Sequence, residues 1–233
     1  TSYSLLEGAI DHKALAARAA ESGMPAVAVT DNANLYGVMP FCAAALAAGV
    51  QPIIGALLPV ALAESQRSFR RERQQTPALL PVLAQNAAGY GSLMKLMSAL
   101  HFEGGSDKGL TPDQLACRNE GLILLTGGAD GPLGRLLGRD DKDAALALLD
   151  QLAEAFEGRL YVELQRHGEE AETLIEPALL DLAFERDLPI VATNDCLFLD
   201  PAMHAAHDAL ICIAAGQHVG NEDRRRFSLD YRF

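Results

Sequence analysis

Short runs of apolar and β-branched residues alternate with longer amphipathic stretches along the chain. Each run is too short for a helix and is typical of a strand that is buried on both faces. The predicted strands span residues 26–30, 51–62, 79–84, 122–126, 159–164 and 189–193. Apolar positions at helical spacing predict helices at about residues 11–22, 38–48, 87–100, 141–156, 169–187 and 201–215. We expect these strand residues to form the core: Val27, Val29, Ile53, Ile54, Val82, Leu124, Val162, Ile190 and Val191.

Strands that alternate with helices predict parallel β-α units, arranged either as an open doubly wound sheet or as a closed barrel. No GxGxxG loop follows the first predicted strand and no GxxxxGK[ST] loop occurs, so both nucleotide-binding signatures of open sheets are missing. A barrel places its chemistry at the C-terminal ends of its strands. Polar residues follow most of the predicted strands, among them Asp31, Gln85, His167 and Asp195. Solvated loops would give the same pattern, so the pattern alone leaves both interpretations open.

The composition predicts a folded domain and argues against a membrane protein. Of the 233 residues, 49% are hydrophobic and 21% are charged, which is ample material for a core. No apolar run reaches the roughly 18–20 residues that span a bilayer. The 19 Lys and Arg residues against 31 Asp and Glu residues give a net charge of −12, which disfavours broad binding of phosphate backbones. The four cysteines form no CxxC pair and are expected to be free thiols of a cytoplasmic protein.

Two further features have a structural and a functional interpretation. Four arginines lie between residues 64 and 76, and they are interpreted as part of a solvated loop rather than as a contact for nucleic acid or an acidic partner. They are Arg67, Arg70, Arg71 and Arg73. His204 and His207 lie three residues apart on one predicted helix. That spacing permits metal binding but is common by chance, so we expect no metal there.

Several strings resemble one known family, in order and over nearly the whole chain. They are Tyr3-Ser4-Leu5-Leu6-Glu7-Gly8, Ala28-Val29-Thr30-Asp31-Asn32, Glu163-Leu164-Gln165-Arg166-His167-Gly168 and Ala192-Thr193-Asn194-Asp195. They resemble the polymerase and histidinol phosphatase (PHP) domain, in the branch found in alpha subunits of bacterial DNA polymerase III. The resemblance implies a single PHP domain over residues 1–233. It implies an α/β fold, a distorted (β/α)7 barrel, whose first strand precedes Thr1 and is missing here.

The resemblance also implies which residues would be metal ligands. Active PHP domains are similar in holding a cluster of metal ions, often zinc or manganese, which needs many carboxylates and neutral imidazoles aimed at one cavity. The resemblance places three retained ligands at Glu7, His167 and Asp195. It places five lost ligands at Ser2, Asn32, Leu57, Leu79 and Leu197. Because leucine cannot bind a metal, we expect the three survivors to be vestigial, with no metal cofactor and no catalytic residue.

The leading hypothesis from this resemblance is a structural and interaction module in DNA replication. The parent chain would be a cytoplasmic DNA-directed DNA polymerase, a nucleotidyltransferase, whose PHP domain supports the polymerase core and docks the proofreading exonuclease (epsilon) subunit. DNA would be reached through the holoenzyme, and this segment would not be catalytic by itself. The alternative is a metal-dependent phosphoesterase or 3′–5′ exonuclease that uses zinc or manganese on Glu7, His167 and Asp195. A relative of the error-prone polymerases, which share the domain, is a third interpretation.

Overall fold

A computed structural model describes residues 1–61, 77–103 and 109–233 of the chain. The arginine-rich segment interpreted above as a loop lies outside the described residues. The strands are β1 Ala26–Asn32, β2 Gln51–Val60, β3 Ala78–Ala84, β4 Leu122–Leu125, β5 Leu160–Leu164 and β6 Ile190–Ala192. The helices are α1 His12–Glu21, α2 Val38–Ala47, α3 Ala87–Phe102, α4 Pro112–Ala116, α5 Pro132–Leu137, α6 Lys142–Ala155, α7 Glu170–Glu185 and α8 His204–Ala215. Short 3-10 turns cover Pro201–Met203 and Leu229–Tyr231.

The six strands form one curled sheet in the order β1-β2-β3-β4-β5-β6. Within it β1 pairs with β2 in parallel, and β4, β5 and β6 are parallel to one another. The prediction of parallel β-α units throughout is wrong at β3, which is antiparallel to both β2 and β4. A parallel pair needs a crossover of a dozen or more residues, usually a helix, and no helical periodicity separates the second and third predicted strands. Since β1 and β6 are the two ends of the described sheet, the described strands form a half-barrel, and closure as a (β/α)7 barrel stays a prediction.

The main core lies between the convex face of the sheet and the helices α3, α5, α6 and α7. Leu58, Leu80 and Val82 point outwards from β2 and β3 and are fully buried there. A second cluster packs α1 and α2 against Val27 and Val29 of β1. No helix in the described parts of the chain is long and apolar enough to cross a bilayer.

The predicted core is correct for most strands and wrong at the last one. Five predicted residues are buried: Val27, Val29, Val82, Leu124 and Val162. Ile53, Ile54 and Val191 are partly buried, whereas the Ile190 side chain is 38% exposed. Ile190 lies on an edge strand, and its neighbour on the same face, Ala192, is exposed as well. An apolar run therefore predicts a strand correctly here but not burial on both of its faces.

Candidate functional site

The concave face of the sheet encloses a cavity of about 510 Å³. Because side chains alternate along a strand, Leu57 points into the cavity while Leu58 points into the helical core. The antiparallel direction of β3 brings its beginning, Leu79, next to Pro59 of β2. The apolar wall is formed by Leu57, Leu79, Pro81, Leu83, Ile123 and Leu125. Polar side chains lie in the same cavity, namely Glu7, Asn32, Glu163 and Asp195.

Four of the five positions predicted as lost ligands line this cavity. They are Asn32, Leu57, Leu79 and Leu197. The fifth, Ser2, is exposed, and its backbone N–H donates to the Ile10 carbonyl at 2.9 Å. Where the resemblance places metal ligands, the cavity thus presents three apolar side chains and one amide.

The His167 side chain is 1% exposed, and protein groups occupy both of its ring nitrogens. Nδ1 lies 2.7 Å from Oε1 of Glu172, so the Nδ1–H donates to that carboxylate. Nε2 accepts from the backbone N–H of Asp195 at 3.2 Å. The ring also stacks on Tyr231, with centroids 3.9 Å apart and planes 9° from parallel. Both ring nitrogens of His167 therefore have protein partners in this structure, with the Nε2 lone pair directed at a backbone N–H.

Glu7 is engaged at both of its carboxylate oxygens. Oε1 accepts from Arg225 at 3.1 Å, and Oε2 accepts from the Asn32 amide at 3.4 Å. The Glu7 backbone carbonyl accepts from Nε2 of His207 at 2.8 Å. Burial lowers the pKa of His207, which keeps that ring neutral. His204 turns its own Nε2 to the Phe227 carbonyl at 2.9 Å, so each of these two helical histidines uses Nε2 on a backbone carbonyl.

Asp195 and Glu163 are carboxylates of this cavity whose pKa the fold raises. Burial raises the pKa of Asp195, and the negative charge of Glu7 raises it further. Among the described residues no hydrogen-bond donor reaches the Asp195 carboxylate. Burial also raises the pKa of Glu163, although Gly127 N–H at 2.9 Å and the Thr193 hydroxyl donate to its carboxylate. Burial in this cavity therefore disfavours the ionised forms of Asp195 and Glu163.

The C-terminal segment, residues 225–233, runs beside the candidate site residues. Ser228 donates to the His167 carbonyl at 2.9 Å, and Asn194 donates to the Arg232 carbonyl at 2.9 Å. The Arg225 guanidinium lies 4.4 Å from the centre of the Phe227 ring and pairs with Glu7. Arg225 and Phe233 line the cavity themselves. Glu7 and His167 are thus held in place partly by residues of this segment.

The donor set does not fit the metal cluster that the resemblance implies. In the described parts of the chain, no group of three or more His, Cys, Asp or Glu side chains is arranged to hold a metal ion. Glu7 and Asp195 line the same cavity, but the third predicted survivor, His167, turns Nε2 to a backbone N–H. Cys196 follows Asp195, and burial raises the pKa of its thiol to about 12, which disfavours the thiolate that binds metals.

Sequence reasoning gave no specific role to several residues that hold the site together. Asp31, 2% exposed, accepts from the Ser4 hydroxyl at 2.8 Å, and the same Ser4 oxygen accepts from the Asn32 N–H at 3.0 Å. Glu163 had a signal, because a charged residue inside an apolar strand must find partners when it is buried. Glu172 and Tyr231 carried no such signal, since they reach His167 only through the tertiary fold.

Comparison with known proteins identifies the family of this chain. The profile of the PHP domain family matches residues 1–167. Over its full length the chain is 41% identical to DNA polymerase III subunit alpha of Caulobacter vibrioides. Over 96% of its length it is 36% identical to that of Escherichia coli K12. The chain spans only 20% and 19% of the lengths of these two relatives.

A solved structure supports the same assignment at the level of the fold. The chain is similar to a crystal structure from Bifidobacterium adolescentis that is assigned as a metal-dependent phosphoesterase, with a TM-score of 0.50 and 12% sequence identity. The similarity covers 81% of this chain and 83% of that one, and at this identity it shows the fold alone. The family match, the relatives and the fold agree with the sequence resemblance, and the chain belongs to the PHP domain family.

Proposed function

We propose that residues 1–233 form a degenerate PHP domain of a replicative DNA polymerase alpha subunit, one that binds no metal and serves as a scaffold. The observation that carries the proposal is the state of His167, whose two ring nitrogens are committed to Glu172 and to the Asp195 N–H. Leucines at three of the family's ligand positions support it, because an apolar wall cannot balance the charge of metal ions.

The role proposed for the domain follows from the proteins that it resembles. The parent polypeptide would add deoxynucleotides to DNA in the cytoplasm, and this domain would support the polymerase core. The separate proofreading exonuclease subunit would dock on the domain, and DNA would be bound by the assembled enzyme. The net charge of −12 favours contacts with protein over contacts with phosphate backbones in this part of the polypeptide.

Two measurements on the purified chain test this proposal against a phosphoesterase or 3′–5′ exonuclease with a reduced site. The first is hydrolysis of phosphomonoesters and of DNA 3′ ends with added zinc or manganese, where we expect no turnover above background. The second is binding of the exonuclease subunit by size-exclusion chromatography, where we expect a complex that survives EDTA. Turnover that Asp195→Asn abolishes, or a complex that EDTA dissociates, would contradict the proposal.

A further inference from the structure

The helix α2 has an unusual composition for a helix at the protein surface. Its ten residues, VMPFCAAALA, include no charged side chain. Phe41 and Ala45 pack against α1 and β1 in the second core cluster. Met39 and Leu46 lie on the side away from this cluster and are 74% and 65% exposed. A helix that is apolar all round is normally buried on every side, whereas α2 leaves one of its sides exposed.

The apolar surface extends beyond the helix. Tyr36 precedes α2 by two residues and is 65% exposed, and Ala43 is exposed between Met39 and Leu46. These positions recur at spacings of three and four residues, so they form one stripe along the helix. We define the α2 face as Tyr36, Met39, Ala43 and Leu46.

The N-terminal residues add to the apolar surface near the α2 face. Asn34 donates to the Tyr3 carbonyl at 2.9 Å, which fixes the loop before α2 beside residues 1–7. In that N-terminal stretch Leu5 is 74% exposed and Leu6 is 53% exposed. Of the fourteen large apolar side chains that are exposed in the described residues, six lie within the first 46 residues. Exposed apolar side chains in such numbers are typical of a surface that contacts another protein element.

We propose that the α2 face is covered permanently by a later part of the same polypeptide. This inference rests on the proposed function, in which the chain is one domain of a polymerase subunit. The relatives are about five times longer than the chain, so they hold ample sequence to supply the cover. Interfaces that never dissociate are more apolar than those of separable partners, and α2 offers no charged residue. A tethered neighbour also meets the surface at a high effective concentration.

The test compares methionine oxidation by hydroxyl radicals in the full polypeptide and in the 1–233 chain. Met39 is the probe, and Met94, which is 45% exposed on α3, is the internal control. In the 1–233 chain we expect Met39 to oxidise at least as fast as Met94. In the full polypeptide we expect Met39 to oxidise roughly tenfold more slowly, since its sulfur loses access to solvent.

A matched pair of variants makes the test specific to the α2 face. Leu46 and Leu174 are 65% and 66% exposed, on α2 and α7. Leu46→Glu in the full polypeptide should return Met39 to fast oxidation, because a buried carboxylate would displace the covering element. Leu174→Glu should leave Met39 protected. In the 1–233 chain neither variant should change the thermal stability noticeably.

Four results would overturn the inference. Equal Met39 rates in the full polypeptide and the 1–233 chain would show that the surface is uncovered. Protection that appears only when the exonuclease subunit is added would identify that subunit as the cover. Protection within the 1–233 chain that grows with its concentration would identify a second copy. Loss of protection in both Leu46→Glu and Leu174→Glu would remove the link to α2. Metal content and exonuclease binding, measured on the same samples, report separately on the proposed function.

Discussion

His167→Ala removes the side chain on which the metal-free interpretation depends. The variant loses the Nδ1–H bond to Glu172, made at 2.7 Å between side chains that are 1% and 8% exposed. A hydrogen bond to a charged group contributes about 1.5–3 kcal/mol. The Asp195 N–H loses its acceptor, which costs about 1–3 kcal/mol if it stays buried, and the stacking on Tyr231 adds about 0.5–1.5 kcal/mol.

We expect the loss in the free energy of unfolding to be smaller than the sum of these three contributions. The Glu172 carboxylate keeps two backbone donors, the N–H groups of His167 and Glu169, at 2.7 and 3.2 Å. Water can also enter the space that the imidazole leaves. We therefore expect His167→Ala to lower the free energy of unfolding by about 3–5 kcal/mol. His167→Asn keeps a donor for Glu172 and should lose about half as much.

Urea denaturation at pH 7 measures these differences, with and without EDTA. His218→Ala is the control, because His218 is exposed and its loss should change the free energy of unfolding by less than about 0.5 kcal/mol. The structural role of His167 is refuted if His167→Ala lowers the free energy of unfolding by less than about 0.5 kcal/mol. It is also refuted if EDTA destabilises the wild-type protein and leaves His167→Ala unchanged, because His167 would then act through a metal.

Variants at three other places in the structure have expected outcomes of their own. Asp195→Asn should be neutral or stabilising at pH 7, because the raised pKa of Asp195 makes its ionised form unfavourable in the folded state. The wild-type protein loses stability as the pH rises through that pKa, and the variant does not. In urea melts the gain of the variant over wild type should therefore vanish near pH 3. Arg225→Ala should cost less than about 1 kcal/mol, since Arg225 is 59% exposed, yet faster amide exchange in residues 225–233 should reveal the loss of its bond to Glu7. Val162→Ala should cost about 1–3 kcal/mol at a fully buried position, whereas Ile190→Ala on the edge strand should cost clearly less.

The sequence predicted the elements of the fold better than their arrangement. All six predicted strands are present, because their apolar runs are bounded by clear breaks. The short helices α4 and α5 were missed, since five or six residues are too few to establish a helical period. The reversal of β3 was missed as well, because strand direction depends on the connection between strands rather than on the strand's own residues.

The candidate site was predicted in its composition but not in its contacts. The resemblance to the PHP family is confirmed, and four of the five positions it marks as lost line one cavity. The orientation of the His167 imidazole depends on Glu172 and on the Asp195 backbone N–H, which only the folded chain brings together. The anchoring of Glu7 by Arg225 joins residues 218 positions apart, a separation at which sequence periodicity carries no information.

Metal titration of the purified chain shows whether this PHP domain holds a metal ion. The chain is stripped with EDTA, dialysed against zinc and, separately, manganese, and the bound metal is counted by mass spectrometry beside His167→Ala and Asp195→Asn. We expect far less than one ion per chain and the same low value in both variants, because the cavity offers an apolar wall and an imidazole that already has protein partners. One or more tightly bound ions per wild-type chain, lost in both variants, would contradict it.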